Sequence, residues 1–527
     1  MNVPSTSPYD LVVIGSGPAG SSGALAASYF GKRVALIERE KNVGGAGINT
    51  GTIPSKALRE SALLLSGSRA RALLGVAVTL KNDNLLKDLS YLSQHVQKAL
   101  RVQTEYRLHA RDAAMLHGDA TLVDANTVRV TAADGSSTLV TGHHLLIATG
   151  SSPLRPPEFP FEHSRVHDSD EILTISELPK RLAVVGAGVI GCEYACTFAA
   201  LGIEVHVIDG RDSLLSFLDG EISAAITTAM VRHGVTFHWK ERVVRCDAPP
   251  TGDVQLTLSS GKVLSFSDVL VASGRSSNTE TLNLAAAGLT PGKRGLIPVN
   301  EWYQTAVPSI YAAGDAVGPP ALAATAMEQA RVAICHAFDL TKKTTTPILP
   351  TGIYSIPEAS MAGLTEEAVK ASGVPYIVGR ASYQDNPRGR MMGDRDGLLK
   401  LIFRRDDLRL LGVHVLIKQR SLLILFTNFE SLSGLHRQMP YLKRLAKYHL
   451  LLVVFFENTE LTAKAADDVD DLEDLYIKTI AGKYVHEKQL IVRELNNAGI
   501  LSILSPPEKV TVNAINKYIE IKTRQAI

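Results

Sequence analysis

Two glycine-rich turns, each at the end of an apolar strand, constrain this chain more than any other feature. Residues 9–40 read YDLVVIGSGPAGSSGALAASYFGKRVALIERE, and residues 181–212 read RLAVVGAGVIGCEYACTFAALGIEVHVIDGRD. Each combines an apolar strand, a G-x-G-x-x-G turn, an alanine-rich helix and a second strand that ends in an acid. This order predicts two βαβ units that each bind a dinucleotide.

The residues of the first unit meet the requirements of such a site one by one. Gly15 permits the tight turn, Gly17 lets the backbone approach a pyrophosphate, and Gly20 allows close packing of helix on strand. The start of the helix offers free N–H groups to the phosphates, and Glu38 can accept hydrogen bonds from a ribose. Glycines also close ordinary turns, but here the strand, the helix and the acid agree with a nucleotide site.

The second unit repeats the pattern with Gly186, Gly188 and Gly191 in the turn and Asp209 at the end of its second strand. The two units lie about 170 residues apart, which makes them an internal repeat at the scale of a domain. Two such sites in one polypeptide predict a flavin and a nicotinamide nucleotide brought face to face.

Length and charge narrow the remaining possibilities. A chain of 527 residues is too long for one compact domain and predicts three or four. The 55 basic and 53 acidic residues form no basic block, which argues against nucleic acid as a partner. The N-terminus lacks the pattern of a secretory signal, and no apolar run approaches the roughly 18 residues of a membrane span. We therefore expect a cytoplasmic protein without a membrane partner.

A loop after the first unit indicates the chemistry. Residues 44–60 read GGAGINTGTIPSKALRE, and later segments read LLIATGS at 145–151, VLVASGRSSN at 269–278 and SIYAAGDAVG at 309–318. With the two glycine motifs, these segments resemble the FAD-dependent pyridine nucleotide–disulfide oxidoreductase family over about residues 8–414. The resemblance implies FAD, NAD and NADP as cofactors.

The resemblance also implies the fold, an α/β chain with two Rossmann-like FAD- and NAD(P)-binding domains and an α+β interface domain that forms a homodimer. The predicted ranges are 1–150 and 276–345 for the FAD-binding domain, 151–275 for the NAD(P)-binding domain, 346–415 for the interface domain and 416–527 for a tail. After GVHV the sequence departs from the family, so we expect a truncated interface domain. That truncation argues against the homodimer.

Further cofactor-binding residues follow from the resemblance. They are Gly45, Thr149, Gly150, Gly274, Arg275, Gly314 and Asp315. Asp315 would bind the ribityl chain or the pyrophosphate side of FAD. Residues 320–331 would open a helix whose N-terminus points at the flavin pyrimidine, where it would stabilise negative charge.

Both cysteine places of the family's redox loop are empty, because Gly47 stands at the first and Thr52 at the second. Thiol–disulfide exchange needs a sulfur nucleophile, which neither residue provides. The chain's own cysteines are predicted to be packing or isolated residues: Cys192, Cys196, Cys246 and Cys335. The two-electron path therefore ends at the flavin, and a second nicotinamide nucleotide is the natural oxidant.

One branch of the family has threonine at the second cysteine place and transfers hydride between NADPH and NAD. TGTIPSKALRE resembles that branch, as do residues 211–221 and 350–367. The resemblance implies that Lys56 and Glu193 meet beside flavin N5, where the lysine stabilises anionic reduced flavin and the acid orients it. We predict Lys56, Glu193 and Thr52 as catalytic residues of a ping-pong transfer.

Such a transfer requires a site that accepts both NAD and NADP. Asp209 suits the ribose of NAD, and Arg211 could reach a 2′-phosphate. Asp209 could equally cap a strand end, with Arg211 as an exposed turn residue. The alternative activities are a thiol-independent NAD(P)H dehydrogenase (diaphorase) that reduces a quinone or dye, or no activity, in a chimeric protein that acts through its tail.

The tail has its own periodicity. Residues 421–429 and 449–458 are continuous apolar runs, as expected for strands that are buried on both faces. Between them, apolar residues at helical spacing predict a helix: Leu432, Leu435, Met439, Leu442 and Leu445. A helical stretch, the run at 500–508 and a final helix complete a β-α-β-α-β-α order, about half of a doubly wound sheet.

This order resembles the C-terminal half of the von Willebrand A-like proteins encoded beside MoxR-type ATPases. Those proteins hold a metal with a D-x-S-x-S turn, which the tail lacks, so we predict no metal. We interpret the acidic run at 467–474 as a solvated helix face or loop.

Overall fold

A computed structural model describes residues 7–65, 85–175, 177–340, 350–385, 396–407, 409–417, 422–427, 431–448, 450–466 and 472–523. The chain divides into two compact units, Met1–Lys418 and Gln419–Ile527. In the described parts of the chain, no helix is both long enough and apolar enough to cross a bilayer.

The first sheet has seven strands, in the order β3-β2-β1-β6-β5-β4, with β17 also paired to β6. The strands β1, β2, β3, β6 and β17 are parallel, whereas β4, β5 and β6 pair in antiparallel fashion. Their bounds are β1 Tyr9–Ile14, β2 Val34–Glu38, β3 Ala114–His117, β4 Asp119–Leu122, β5 Thr127–Thr131, β6 Ser137–Ile147 and β17 Ile310–Ala312.

Small residues let helices lie close to this sheet. The helix α1 (Pro18–Tyr29) packs against the helix α7 (Ala323–Ala337). A Cβ atom added to Gly23 in α1 would lie 2.5 Å from the side chain of Leu146, so a larger residue would force the helix off the sheet. Pro18 at the first helical position suits its fixed φ and its missing N–H.

The second sheet is parallel and has the order β11-β10-β9-β15-β8. A three-stranded antiparallel meander, β12-β13-β14, accompanies it, and a ribbon of β7 and β16 is separate. The bounds are β7 Ser151–Pro153, β8 Val166–Asp168, β9 Arg181–Val185, β10 Glu204–Asp209, β11 Val235–Trp239, β12 Val243–Asp247, β13 Val254–Leu258, β14 Val263–Phe266, β15 Asp268–Val271 and β16 Arg275–Ser277.

In the residues that the structure describes, five further helices lie between these strands in the chain, and one of them, α3, carries Thr52 and Lys56. They are α2 Gly45–Asn49, α3 Thr52–Leu65, α4 Leu85–His109, α5 Val189–Ala200 and α6 Gly220–Arg232. The helix α3 packs against both α4 and α5, which brings the loop of the first nucleotide half to the helix of the second. Short 3-10 turns are Glu171–Thr174, Glu280–Leu282, Leu284–Ala287, Lys293–Gly295, Gly314–Ala316, Tyr383–Asp385 and Pro507–Lys509.

The third sheet is antiparallel, with the order β18-β19-β22-β21-β20, and carries one short helix, α8 (Glu366–Ser372). Its strands are β18 Thr351–Ile353, β19 Glu358–Gly363, β20 Tyr376–Ser382, β21 Leu398–Arg404 and β22 Leu410–Ile417. Ile353, Ile356 and Leu416 belong to the same apolar core as Leu182 and Ile222 of the second half. The two parts therefore pack as one body.

The second unit has a parallel sheet in the order β23-β24-β25. Its elements are β23 Leu422–Thr427, α9 Leu432–Tyr448, β24 Leu450–Phe456, α10 Thr459–Ala466, α11 Leu472–Asn497, β25 Leu501–Ser505 and α12 Val510–Thr523. Leu435, Met439 and Leu442 of the predicted stripe are buried against β24 and α11, whereas the side chain of Leu445 lies outside the described residues. Most of the acidic run at 467–474 also lies outside them.

Candidate active site

The first dinucleotide turn is formed by close approach of the backbone. Gly15 has a φ of +100°, and a Cβ atom there would lie 2.4 Å from the carbonyl oxygen of Ala148. A Cβ atom on Gly20 would lie 1.8 Å from the carbonyl oxygen of Gly15, so only glycine fits beneath the turn. At Gly17 the same atom would meet only the Cα of Gly45, at 4.0 Å. The turn is thus closed from below and open at Gly17, as a pyrophosphate requires.

Glu38 ends β2 with its side chain buried inside the turn. Its Oε2 accepts hydrogen bonds from the N–H of Ser16, at 2.9 Å, and from the Ser16 hydroxyl. Its Oε1 accepts the N–H of Glu40 at 2.8 Å, and the Ser16 hydroxyl in turn accepts the N–H of Gly44. The residue is 5% exposed, so it is held in one position at the place predicted for a ribose.

Thr149 and Gly150 follow β6 at the edge where β1 also ends. The Thr149 hydroxyl is buried and has no hydrogen-bond partner among the residues that the structure describes. Asn278 fixes the backbone here, because its side chain donates to the Thr149 carbonyl oxygen and its N–H donates to that of Gly150. An unpartnered buried hydroxyl, an open Gly17 and the buried carboxylate of Glu38 together fit a bound dinucleotide.

Asp315 lies in the 3-10 turn that follows β17. Its Oδ2 accepts a hydrogen bond of 2.6 Å from Ser151, and the Ser151 hydroxyl accepts one of 2.8 Å from Nε of Arg275. Arg275 also pairs with Asp170 at 3.2 Å, so its guanidinium links loops of the protein. Gly314 donates its N–H to the side chain of Gln329 on α7. Gly274 accepts the N–H of Leu154.

The loop between the first turn and α3 lies directly on the start of α1. A Cβ atom on Gly45 would lie 2.9 Å from the Cα of Gly17, and one on Gly47 would lie 2.7 Å from Cγ of Pro18. Thr52 begins α3 and is exposed. The first cysteine place is therefore filled by tight packing against Pro18, whereas the second faces solvent.

Lys56, one turn further along α3, forms an ion pair with Glu193 on α5. Its Nζ lies 2.6 Å from Glu193 Oε2, and the two side chains are 25% and 9% exposed. The other oxygen of Glu193 accepts the N–H of Tyr354 at 2.9 Å, and the Tyr354 ring centre lies 4.9 Å from Lys56 Nζ. Three segments distant in sequence thus hold one ammonium group in place.

Arg59 anchors the segment that carries Tyr354. Its side chain is almost fully buried, and its Nε and Nη2 donate to the carbonyl oxygen of Ser355 at 3.3 and 3.1 Å. Its Nη2 also lies 2.9 Å from Glu358. Burial raises the pKa of Glu358, and the charge of Arg59 opposes that rise. Because Arg59 and Lys56 share α3, the segment and the ammonium group are positioned by the same helix.

The second dinucleotide turn repeats the geometry of the first. A Cβ atom on Gly191 would lie 1.9 Å from the carbonyl oxygen of Gly186, whereas one on Gly188 would meet nothing within 4 Å. Asp209 ends β10, and its Oδ2 accepts the N–H of Ala187 at 2.6 Å, as Glu38 accepts that of Ser16.

Unlike Glu38, Asp209 is paired with an arginine. Arg211 donates its Nε to Oδ1 at 2.9 Å, its Nη2 to Oδ2 at 2.7 Å and its backbone N–H to Oδ1 at 2.8 Å. Burial raises the pKa of Asp209, but the hydrogen bonds from Arg211 and Ala187 outweigh burial and lower it to about 2. The carboxylate is therefore ionised at neutral pH and already has four donors.

The four cysteines are free. Cys192 and Cys196 are buried in the core on α5, and the thiol of Cys192 lies 3.8 Å from the sulfur of Met230. A hydrogen bond with Cys196, together with burial, raises the pKa of Cys192 well above its ordinary value. Burial raises the pKa of Cys246 to about 11. Neither thiol forms a thiolate readily, which agrees with a packing role.

Two family models match the chain. The model described as pyridine nucleotide-disulphide oxidoreductase matches residues 9–330, and the model of the same family's dimerisation domain matches residues 349–426. The chain belongs to the pyridine nucleotide-disulphide oxidoreductase family. As a member of this family of flavoprotein oxidoreductases it binds FAD, and nicotinamide nucleotides are its substrates rather than resident cofactors.

Two similar proteins are both named soluble pyridine nucleotide transhydrogenase. The one from Mycobacterium tuberculosis (strain ATCC 25177 / H37Ra) is 44% identical over 408 residues, and the one from Colwellia psychrerythraea is 39% identical over 407 residues. Each alignment covers 77% of this chain and 87% of the relative.

Solved structures agree on the fold. The HOCl-induced flavoprotein disulfide reductase RclA from Escherichia coli superposes with a TM-score of 0.70 over 91% of this chain and 99% of its own, at 24% identity. LpdA from Mycobacterium tuberculosis superposes with a TM-score of 0.71 over 90% of this chain and 99% of its own, also at 24% identity. At this identity the likeness concerns the fold alone.

Two contacts join residues that the resemblance to the pyridine nucleotide-disulphide oxidoreductases implies. The structure joins Lys56 to Glu193 and places Gly45 against Gly17. The side chain of Arg275 donates hydrogen bonds to Ser151 and pairs with Asp170. The binding roles of these residues stay predictions.

The interface domain extends further by its family model than the sequence predicted. The match continues to residue 426, beyond the predicted end at 415, and includes most of β23, which the structure pairs with β24 of the second unit. The predicted domain boundaries and the resemblance of the tail to von Willebrand A-like proteins stay predictions, as does a cytoplasmic location.

Sequence reasoning missed Ser151 and Tyr354. Ser151 links Arg275 to Asp315, and Tyr354 contacts both members of the Lys56–Glu193 pair. Tyr354 lies inside the segment 350–367 that resembles the transhydrogenase branch, which was a signal for its importance.

Proposed function

We propose that this chain is a soluble pyridine nucleotide transhydrogenase, which transfers hydride between NADPH and NAD+ through bound FAD in a ping-pong scheme without a redox disulfide. The observation that carries the proposal is the Lys56–Glu193 ion pair of 2.6 Å beside a loop that has Gly47 and Thr52 at the cysteine places. The identity of 44% to a relative of that name supports the same activity.

Residues of the first half would hold FAD in this scheme. The open turn at Gly17 and the N-terminus of α1 would bind the pyrophosphate, Glu38 a ribose, and Thr149 and Asp315 the remaining polar groups. When bound, FAD supplies a group that accepts hydride from one nicotinamide and returns it to another.

Lys56 provides a fixed positive charge for this transfer. Because Glu193 and Tyr354 hold its ammonium group in a partly buried position, the charge is available without reorganisation when negative charge develops nearby. Thr52 lies one turn before Lys56 and offers a hydroxyl group, which forms no mixed disulfide. No thiol of this loop can take the electrons, and in our proposal the second nicotinamide nucleotide accepts the hydride.

The second half would bind NAD(H) and NADP(H) in turn. Gly186 and Gly188 would leave the turn open to the pyrophosphate, and Asp209 and Arg211 would bind the adenosine ribose. We propose that the chain acts as a homodimer, because a dimerisation domain matches at residues 349–426.

The test is an anaerobic titration of the purified protein with NADPH, followed by addition of NAD+. We expect the visible absorbance of bound FAD to fall with about one equivalent of NADPH and to return with NAD+. The variant Lys56→Met should slow reduction by about a hundredfold, the size of losing one preorganised electrostatic contact. The exposed lysine variant Lys98→Met is the control and should behave as the parent.

Two outcomes would contradict the proposal. If NAD+ fails to restore the absorbance but a quinone or dye restores it, the protein is an NAD(P)H dehydrogenase. If the purified protein carries no FAD and does not take it up, it does not catalyse this reaction.

A further inference from the structure

The turn after β10 carries more positive charge than its sequence suggests. Asp209 has four hydrogen-bond donors in the structure, from Ala187 and Arg211. A carboxylate offers about four acceptor positions, so a ribose can bind there only if Arg211 moves away. The side chain of Arg211 is 46% exposed and flexible, so its guanidinium group can leave Asp209 without a change in the backbone.

A second arginine from another connection lies against this turn. A Cβ atom on Gly210 would be 2.9 Å from Nε of Arg242 and 3.5 Å from its Cζ, so the guanidinium covers the Gly210 backbone. Arg242 comes immediately before β12 and not from the turn itself. The guanidinium group of Arg242 therefore lies against Gly210, and that of Arg211, the next residue, lies on Asp209 at the same turn.

Backbone hydrogen bonds fix this arrangement from both sides. Lys240 donates its N–H to the carbonyl oxygen of Arg211 at 3.0 Å, and Glu241 donates its N–H to that of Asp209 at 3.2 Å. The backbone N–H of Arg242 donates to the Ser259 hydroxyl, and the Arg242 carbonyl oxygen accepts the Ser259 N–H at 2.8 Å. The position of Arg242 is thus fixed by the hydrogen bonds of Lys240 and Glu241 to the turn after β10 and by its own to Ser259.

Nearby acids do not neutralise Arg242. The carboxylate of Glu241 accepts hydrogen bonds from the Ser259 hydroxyl and the Ser260 N–H. Asp212 lies 3.9 Å from the ammonium group of Lys240, where both side chains are exposed. In the described part of the chain, Arg242 makes no ion pair, so its charge is available to a ligand.

We propose that Arg242 and Arg211 together bind the 2′-phosphate of NADP(H), and that Arg242 is the residue that lets a site with an acid at Asp209 accept the phosphorylated nucleotide. This inference rests on the proposed function, which requires both nucleotides at one site. A 2′-phosphate carries about two negative charges and would be repelled by Asp209 alone. Two guanidinium groups offset that repulsion, whereas NAD(H) uses Asp209 after Arg211 has moved away.

The test is a comparison of dissociation constants for NADPH and NADH, measured by quenching of protein fluorescence under anaerobic conditions with the holoenzyme. The variant Arg242→Gln should raise the NADPH constant about tenfold or more, the size of one charge-assisted hydrogen bond, and should raise the NADPH-to-NADH ratio accordingly. The variant Arg211→Gln should weaken the binding of NADPH and strengthen that of NADH, because it frees the Asp209 carboxylate from its guanidinium partner.

The control is Arg245→Gln, which removes the same charge from the neighbouring strand, where Arg245 pairs with Asp247 and is 72% exposed. If Arg245→Gln changes the NADPH-to-NADH ratio of dissociation constants as much as Arg242→Gln does, the effect comes from net charge alone, and the inference is overturned. An unchanged ratio in Arg242→Gln would also overturn it. Failure of the parent protein to bind NADPH at all would instead refute the proposed function, so the two failures are distinguishable.

Discussion

A buried lysine joins the second nucleotide half to the interface domain, and its removal gives the sharpest stability prediction. Lys400 on β21 is 1% exposed, and its Nζ lies 2.6 Å from Glu366, 2.8 Å from Asp219 and 3.1 Å from Glu221. Asp219 and Glu221 stand at the start of α6, and Glu366 begins α8. The three carboxylates therefore meet on one ammonium group.

The variant Lys400→Met keeps most of the volume and removes the charge. Glu221 and Glu366 retain Arg380, which lies within 2.5 and 3.1 Å of them, but Asp219 is fully buried and has no other cation within ion-pair distance in the described structure. Removing one partner of a buried pair leaves an uncompensated charge and costs about 3–5 kcal/mol. We expect the free energy of unfolding to fall by about that amount at neutral pH.

The loss should depend on pH in a defined direction. Hydrogen bonds from Arg380, with a smaller contribution from Lys400, lower the pKa of Glu221 to about 2. Burial raises the pKa of Asp219, but the hydrogen bond from Lys400 and others outweigh burial and lower it. Because both folded-state pKa values lie below the unfolded values of about 4, the stabilisation is complete above about pH 5 and disappears as the pH falls towards 2. The difference between parent and variant should narrow over the same range.

Urea denaturation followed by tryptophan fluorescence measures this effect, because Trp239 lies on β11 of the same half. The exposed lysine of α8 gives the control variant Lys370→Met, which should leave the free energy of unfolding within about 0.5 kcal/mol of the parent. A Lys400→Met variant that loses less than about 1 kcal/mol, or whose loss is the same at pH 3 and pH 7, would refute the reasoning.

Three further changes test the site. Glu38→Gln removes one acceptor oxygen from the buried turn and should weaken FAD binding about tenfold, measured as flavin retained per polypeptide during dialysis. Gly47→Cys places a Cβ atom 2.7 Å from Pro18 and should lower the free energy of unfolding by about 1–3 kcal/mol in thermal melts, without gaining disulfide reductase activity. Tyr354→Leu removes the ring beside Lys56 and should slow flavin reduction about two- to fivefold and move its pH profile, whereas Tyr354→Phe should restore both.

The two nucleotide halves could be predicted from sequence because their determinants are local. Each G-x-G-x-x-G turn, its strand and its acid lie within about 30 residues, so the requirement for a close backbone approach is visible in the spacing. The meeting of Lys56 with Glu193 is not local, since 137 residues separate them, and it was predicted only through the family resemblance.

The contacts that the sequence could not predict join loops that lie far apart along the chain. Tyr354 reaches Glu193 through a backbone N–H, and a backbone group leaves no residue preference in the sequence. Arg242 lies beside Gly210 because the segment after β11 is hydrogen-bonded to the turn after β10. Arg275 was expected at the nucleotide, and only the structure shows its donors on Ser151 and Asp170.

The two terminal acids explain how one repeated fold can serve a resident cofactor and an exchanging substrate. Glu38 is 5% exposed, and hydrogen bonds from Ser16 and from a backbone N–H fix its position without any competing cation in the part of the chain that the structure describes. Asp209 instead holds an arginine that is 46% exposed and must move away before a ribose can bind. A preorganised carboxylate favours tight, long-lived binding, because no competing bond has to break. A carboxylate that exchanges one partner for another lowers the affinity of every nucleotide that it accepts, and this suits a site that must release NADP+ before NAD+ can enter.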